Sequence, residues 1–187
     1  MKKKVAFLLS IIIALVAVYL ALTYQKKEEI KFIPNERPIF LKTPPNEIGK
    51  EGSTHEHISL YLFIDGEPKS FFDDKYMLRN QAVHFENSDG VNVHKHATGV
   101  TLPYFFSTLG MILTKDCLVL DTDESYCDGN GNKLSFLVNG EEGDPFFYEI
   151  RDGDRVLVSY GNEDSLLIRL RANSVPPVPE DILNGTE

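Results

Sequence analysis

Apolar and polar residues alternate in two neighbouring stretches, residues 83–86 and 91–96, which are separated by a short polar segment. A period of two is typical of a half-buried β-strand. Residues 88–90 between the stretches fit a three-residue hairpin loop, a type I turn followed by a glycine in the left-handed conformation. The pattern therefore predicts a β-hairpin in which His84 lies opposite His94.

The length of the hairpin loop decides which side chains share a face. A two-residue loop, Asp89-Gly90, would place His84 on the opposite face from His94. The three-residue loop sorts both arms consistently, and we therefore favour it. It gives an apolar face of Val83, Phe85, Val91 and Val93, and a polar face of His84, Glu86, Asn92, His94 and His96.

A further strand pattern covers residues 55–64. The segment becomes apolar on both faces after Ile58, which is typical of a central strand. His55 and His57 are two positions apart and therefore share one face, whereas Glu56 points to the other. We expect this strand in the same sheet as the hairpin, with the two pairs of histidines alongside each other.

The remaining pattern predicts one helix and several strands. Thr101 is a favourable N-cap, Pro103 stands in the first turn, and Gly110 ends the helix. Strands before and after a single helix predict the α+β class with a mixed sheet. The strand predictions cover residues 134–138, 146–150 and 155–160, with a last strand or short extension at 166–170.

The N-terminus carries an apolar run directly after three lysines. Residues 5–22 are apolar except for Ser10, which is just long enough to cross a bilayer. Because lysines stay in the cytoplasm, we predict a cytoplasmic tail at residues 1–4 and a single transmembrane helix at 5–24. The protein would lie in the cell membrane with its domain outside. A cleaved signal peptide is the alternative, although no good small-residue cleavage site follows the run.

Composition divides the rest of the chain. Residues 25–53 are rich in Lys, Glu, Pro and Asn and predict an extracytoplasmic linker. Residues 54–171 suffice for one domain, and residues 172–187 predict a flexible tail. The chain has 19 basic and 28 acidic side chains and a net charge of −9. Without residues 2–4, the balance is 16 to 28, or −12, which argues against a nucleic-acid partner and favours cations.

Two cysteines, Cys117 and Cys127, lie ten positions apart in the part expected outside the membrane. An oxidising compartment makes a disulfide between them the default. Redox catalysis usually requires a low-pKa thiol at the start of a helix, commonly within Cys-x-x-Cys. Neither cysteine has that context, so we expect a structural disulfide rather than a catalytic thiol.

All five histidines lie between His55 and His96, and none occurs in the other 145 residues. Two His-x-His pairs on strands, together with His84, could supply three or four imidazoles to one metal ion. Zinc and copper both accept such ligands. We predict that His55, His57, His94 and His96 bind the ion, with His84 as a fifth ligand or a partner of one. Exposed strand histidines that bond to neighbouring loops are the alternative.

Residues 134–160 resemble the end of a β-grasp, ubiquitin-like domain. The resemblance rests on a strand that ends in Val138-Asn139-Gly140 and on a strand that follows Arg151-Asp152-Gly153-Asp154-Arg155. It implies a β-grasp-like mixed sheet with one main helix.

A second resemblance, over residues 55–161, is to a family of membrane-anchored archaeal proteins. Its motifs are His55-Glu56-His57, Ile64-Asp65-Gly66, His94-Lys95-His96-Ala97-Thr98-Gly99-Val100-Thr101, Phe105-Phe106, Leu109-Gly110, Cys117 and Val138-Asn139-Gly140. Members are often labelled protein-disulfide isomerase, so the resemblance implies an extracytoplasmic thiol–disulfide isomerase or oxidoreductase. This chain contains no Cys-x-x-Cys motif.

Three functions follow from these patterns. The first is a membrane-anchored domain that binds zinc or copper and handles or senses the metal at the cell surface. The second is the thiol–disulfide enzyme that the family resemblance implies. The third is a non-catalytic subunit whose histidine face contacts a protein partner. Metal content separates the first function from the third, and a thiol titration separates the second from both.

Overall fold

The computed structural model describes residues 47–145 and 148–183 of the chain. The predicted cytoplasmic tail, the transmembrane helix at 5–24 and most of the linker lie outside the described residues. Within the described ranges, no helix is both long enough and apolar enough to cross a membrane.

The described chain is α+β, as predicted. In chain order the elements are β1 (Glu56–Ile64), β2 (Glu67–Lys69), a 3-10 helix (Asp74–Tyr76), β3 (Val83–His84), β4 (Asn92–Lys95), α1 (Leu102–Thr108), β5 (Ile112–Leu113), β6 (Cys117–Val119), β7 (Ser125–Cys127), β8 (Lys133–Val138), β9 (Glu141–Glu142), β10 (Arg155–Gly161), α2 (Ser165–Ser174) and α3 (Glu180–Leu183). The larger sheet has seven strands in the order β3-β4-β1-β10-β8-β9, with β2 also paired to β1, and a smaller sheet has the order β5-β6-β7.

The first strand, β1, lies at the centre of the larger sheet, and its prediction is confirmed. It pairs antiparallel with β4 on one side and parallel with β10 on the other. The β10–β8 pair is antiparallel, so the sheet is mixed. A strand with neighbours on both sides and both faces covered must be apolar on both faces, which is the pattern seen after Ile58.

One face of the sheet forms the main core. Ile58, Leu60 and Leu62 of β1 are buried there together with Phe105 and Phe106 of α1. Burying side chains of this size contributes about 1.5–3 kcal/mol each. This core fixes the position of β1 and β4, and hence of the histidines on their other face.

Helix α1 follows its predicted signals. The Thr101 side chain accepts a hydrogen bond from the backbone N–H of Tyr104, and proline stands in the first turn. Leu109 caps the end, and Gly110 follows with φ of 80°, a conformation that favours glycine.

The opposite face of the sheet is shared between a helix and the histidines. Tyr61 and Phe63, in the second half of β1, pack on the cluster that contains Ile168 and Ala172 of α2. His57 lies on the same face, nearer the start of β1, because alternate residues of a strand share a face. The helix and the histidines therefore occupy different halves of one surface.

The hairpin register is confirmed, but its predicted loop conformation is wrong. His84 pairs with His94, as the three-residue loop predicts. Asn87 and Ser88, however, adopt the left-handed conformation, with φ of 55° and 57°, and Gly90 does not. The Asp89 carboxylate accepts hydrogen bonds from two backbone N–H groups and one side-chain amide of the following residues, and so fixes the loop.

Gly90 is required by a close approach instead. A Cβ at this position would lie 2.5 Å from the carbonyl carbon of Phe71, which is part of the backbone. The glycine thus lets the loop pack against the chain that follows β2.

The C-terminal part differs from its prediction. The segment expected to be a strand at 166–170 is the helix α2, whose N-cap, Asp164, accepts a hydrogen bond from the Leu167 N–H. α2 also runs across the predicted domain boundary at residue 171, and Val175 and Val178, assigned to the tail, are buried. Of the strand predicted at 146–150, residues 148–150 contribute one isolated bridge to Thr101.

Candidate metal centre

Three adjacent strands place the histidines in rows across the sheet. His57 on β1 pairs with His94 on β4, which pairs with His84 on β3. His55 precedes β1 and His96 follows β4, so this second pair lies beside the first. The rings are close throughout: the centroids of His55 and His96 are 4.9 Å apart, those of His57 and His94 4.7 Å, and those of His84 and His96 5.0 Å.

Three of the five predicted ligands form a cluster that could hold a metal ion. One ring nitrogen from each of His55, His94 and His96 lies within 4.8 Å of the others. A tetrahedral zinc ion with ligands at about 2.0–2.1 Å needs nitrogens about 3.4 Å apart. The three nitrogens would therefore have to lie closer together than the 4.8 Å within which they are found. His55 is exposed, His96 is half-buried and His94 is buried.

His57 lies next to the cluster but outside this set of three. It is 3% exposed, and its ring contacts both His55 and His94. Its Nε2 atom is buried with no hydrogen-bond partner among the described residues. An unpaired buried polar atom costs about 1–3 kcal/mol. The unsatisfied nitrogen is thus an unusual feature that a bound ligand would remove.

His84 and Glu86 form a polar link behind the cluster. His84 Nδ1 lies 2.7 Å from the carbonyl oxygen of Asn80, so this nitrogen is the donor. His84 Nε2 lies 3.2 Å from Glu86 Oε2. The other carboxylate oxygen, Oε1, lies 3.4 Å from His94 Nδ1, close but outside hydrogen-bond geometry. Glu86 therefore stands between His84 and one histidine of the cluster.

The surroundings of three of the imidazoles favour the neutral form. Burial lowers the pKa of His57, His94 and His96, and the neighbouring histidines lower each pKa further. Nearby Glu86 opposes this trend, but the net direction for all three is downward. Neutral imidazole is the form that binds metal ions, so the lowered pKa values of His94 and His96 favour cation binding by these two residues.

Lys95 is a structural residue of the site that the sequence analysis did not single out. It is 2% exposed and points to the face opposite its histidine neighbours. Its Nζ donates to Glu56 Oε2 and to the Ile150 carbonyl oxygen, both at 2.7 Å, and to Glu149 Oε1 at 3.2 Å. Burial raises the pKa of Glu149, but the Gly99 N–H and Lys95 lower it by more.

Glu56 and Lys95 are the middle residues of the two His-x-His pairs, and they pair across β1 and β4. Their ion pair therefore sets the register that places His57 opposite His94. A signal for this contact was present in the sequence, since opposite charges stood between the histidines of both pairs.

A cleft adjoins the cluster. It has a volume of about 310 Å³ and is lined by Glu51, Gly52, Leu78, Gln81, His84, Glu86 and His96. His96 thus belongs to both the cluster and the cleft. The backbone N–H of Gly52 donates to the His96 carbonyl oxygen at 2.7 Å and closes one wall.

The two cysteines form a disulfide, as expected. Cys117 on β6 and Cys127 on β7 pair directly across the smaller sheet. Both lie on strands, whereas reactive thiols are commonly found at the start of a helix.

Comparisons of the chain with protein-family models, curated proteins and solved structures find no match. The geometry of the site defines a domain with a three-histidine cluster that could hold a metal ion.

Proposed function

We propose that the protein binds one zinc or copper ion through His55, His94 and His96. The observation that carries this proposal is the convergence of three ring nitrogens within 4.8 Å of one another. These nitrogens come from two separate segments of the chain, and a salt bridge on the opposite face of the sheet aligns those segments. Exposed strand histidines without a ligand would not need such alignment.

His57 and His84 extend the proposed site. The unpartnered Nε2 of His57 is supported as a further ligand by its burial and by its contact with two rings of the cluster. His84 is supported as a partner of Glu86 rather than a ligand, because its two nitrogens face Asn80 and Glu86.

The proposed setting is the outer surface of a membrane, where the domain handles or senses the metal. The lysine-flanked apolar run supports a single-pass anchor with the domain outside. The disulfide supports an oxidising compartment.

The proposed fold class within α+β is the β-grasp. Its support is the sheet order, in which the first and last long strands run parallel at the centre and hairpins flank them on both sides. One helix, α1, crosses the face that holds the main core.

Metal titration of the purified full-length protein tests the proposed function. Wild-type protein should bind one equivalent of Zn²⁺ or Cu²⁺ at micromolar concentration and neutral pH. The double variant His55→Ala/His96→Ala should lose stoichiometric binding, because only His94 of the three clustered histidines, with His57 beside it, remains. These two positions are not fully buried, so circular dichroism should show an unchanged fold.

A matched control replaces two exposed residues at the far edge of the sheet, Glu141→Ala/Glu142→Ala, and should bind as wild type. If the wild-type protein binds no more metal than the histidine variant, the proposed function is wrong. Competition with chelators of known affinity then measures the two affinities, and copper should bind more tightly because it does so at most nitrogen sites.

A further inference from the structure

The three-histidine cluster lacks the fourth ligand that closes a tetrahedral site, and His57 lies beside it. Structural zinc sites are closed by four protein ligands. The Nε2 atom of His57 is buried with no hydrogen-bond partner among the described residues, and its ring contacts those of His55 and His94. Whatever fixes this ring therefore decides whether the site is closed.

A tight turn directly before β10 holds the backbone of His57. The His57 N–H donates to Asp152 Oδ1 at 2.8 Å, and the Gly153 N–H donates to the His57 carbonyl oxygen, also at 2.8 Å. The register of β1 with β10 begins only at Ser59 and Arg155. The turn thus extends the contacts of β1 on this side back to the histidine.

A buried aspartate, Asp154, fixes the shape of this turn. Its carboxylate accepts hydrogen bonds from the Tyr148 hydroxyl at 2.7 Å, the Arg151 N–H at 2.9 Å and the Asn139 side-chain amide at 3.0 Å. These bonds lie outside the histidine cluster. The position of Asp152 relative to His57 is therefore set by the fold and does not require a bound ion.

The Asp152 carboxylate also faces the ring of His57. Its Oδ1 atom lies 3.9 Å from His57 Nδ1, too far for a hydrogen bond but close enough for an electrostatic effect. A negative charge on this side favours the neutral tautomer that carries its proton on Nδ1. Nε2 then keeps its lone pair, which is the form that binds a metal ion.

We propose that Asp152 is a positioning residue that makes His57 the fourth ligand and so closes the metal site. This inference rests on the proposed function, because it requires the bound ion. Carboxylates behind metal-binding histidines commonly fix the orientation and the tautomer of the ring. Here the turn holds the backbone of the ligand, and the charge of Asp152 selects the nitrogen. A zinc ion with four imidazole ligands keeps no position for water or for an added anion.

Zinc affinities of Asp152 variants of the full-length protein test the positioning role. Asp152→Ala removes both effects and should weaken zinc binding by about tenfold or more. Asp152→Asn should lose less, because its amide oxygen still accepts the His57 N–H. The control Asp116→Ala, an exposed aspartate between β5 and β6, should bind as wild type. If Asp152→Ala also binds as wild type, the metal site stands and the positioning inference is overturned.

A double-mutant cycle separates this role from a general effect on the fold. In the His57→Ala background, Asp152→Ala should cause no further loss of zinc affinity, because the residue through which it acts is absent. An equal loss in both backgrounds would overturn the inference.

Magnetic resonance of the metal-free protein supplies a readout that does not depend on binding. The nitrogen chemical shifts of the His57 ring should place the proton on Nδ1 in the wild type. In Asp152→Ala a larger fraction should carry it on Nε2. An unchanged tautomer would show that the charge of Asp152 does not select the nitrogen, and the inference would fail.

Cobalt substitution tests whether the site is closed. Co²⁺ in the wild-type protein should give the visible spectrum of a tetrahedral ion, and azide should not change it. His57→Ala should bind Co²⁺ more weakly, and its spectrum should respond to azide. An azide response in the wild type, or an unchanged affinity in His57→Ala, would overturn the inference. If neither zinc nor cobalt binds to the wild-type protein, the proposed function itself fails.

Discussion

At the scale of single residues, Glu86 has an unusual position between two histidines. One oxygen lies 3.2 Å from His84 Nε2 and the other 3.4 Å from His94 Nδ1. Carboxylates placed behind metal ligands orient the ring and increase its basicity, and their loss typically costs 10–100-fold in affinity. Glu86→Gln should therefore weaken zinc binding by about 10-fold or more.

A competition titration with a chromophoric chelator measures this change. Glu51→Gln is the matched control, because it removes a carboxylate from the same cleft, whereas the described contacts with His84 and His94 are made by Glu86. If both variants lose the same zinc affinity, Glu86 contributes only its negative charge and does not orient a histidine.

The sequence predicted five histidines as candidates for the site, but it could not predict that three of them converge. A period of two placed His55 with His57 and His94 with His96 on one face. Convergence depends on distances of a few ångströms, and these are set by how β1 and β4 twist and pack. His57 is buried next to the cluster rather than within it, a distinction that no residue pattern contains.

At the scale of elements, the Glu56–Lys95 pair determines how β1 meets β4. The Lys95 ammonium group donates hydrogen bonds to the carboxylates of Glu56 and Glu149 and to the Ile150 carbonyl oxygen. Both carboxylates are partly exposed. Lys95→Met should destabilise the protein by about 2 kcal/mol. This is less than the full cost of breaking a buried ion pair, because the carboxylates of Glu56 and Glu149 remain partly solvated. It should also weaken metal binding, since the register of the histidine pairs loosens.

Urea unfolding of metal-free protein measures this loss of stability. Lys133→Met, an exposed lysine at the start of β8, should change the free energy of unfolding by less than about 0.5 kcal/mol. A similar small effect at Lys95 would mean that the sheet register does not depend on the ion pair.

The elements also show where local sequence patterns were misleading. β1, β4, α1 and β10 were predictable because hydrophobic period, caps and turns agreed with the packing. The run at 166–170 contains leucines at positions that fit a strand, yet Leu166 and Leu170 are exposed on α2. The Asp164 cap was the decisive local signal. The hairpin loop packs at Gly90 against the backbone of Phe71, a residue that lies outside the loop and outside any local pattern.

At the scale of the whole molecule, the lowered pKa values of His57, His94 and His96 predict how stability depends on pH. An unfolded chain takes up these protons near pH 6.5, whereas the folded protein takes them up only at lower pH. The unfolded state therefore binds more protons as pH falls below about 6.5, and the free energy of unfolding should decrease.

Unfolding of metal-free protein in urea at pH 7.5 and pH 5.5 tests this dependence, and carboxylates stay largely ionised across that interval. His57→Gln should show a smaller decrease than wild type, because one contributing imidazole is absent. Equal stability at the two pH values would contradict the proposed neutral cluster.

The parallel pairing of β1 with β10 has a consequence for the order of events during biosynthesis. Residues 155–161 of β10 supply the inner neighbour of β1, so the strand that follows His55 and His57 gains this partner only when the end of the domain is available. A chain that emerges N-terminus first exposes all five histidines well before β10 exists. Contacts this distant in sequence form late. The centre of the sheet is therefore completed late, whereas the β1–β4 pair that brings the histidines together lies within residues 56–95 and is available much earlier.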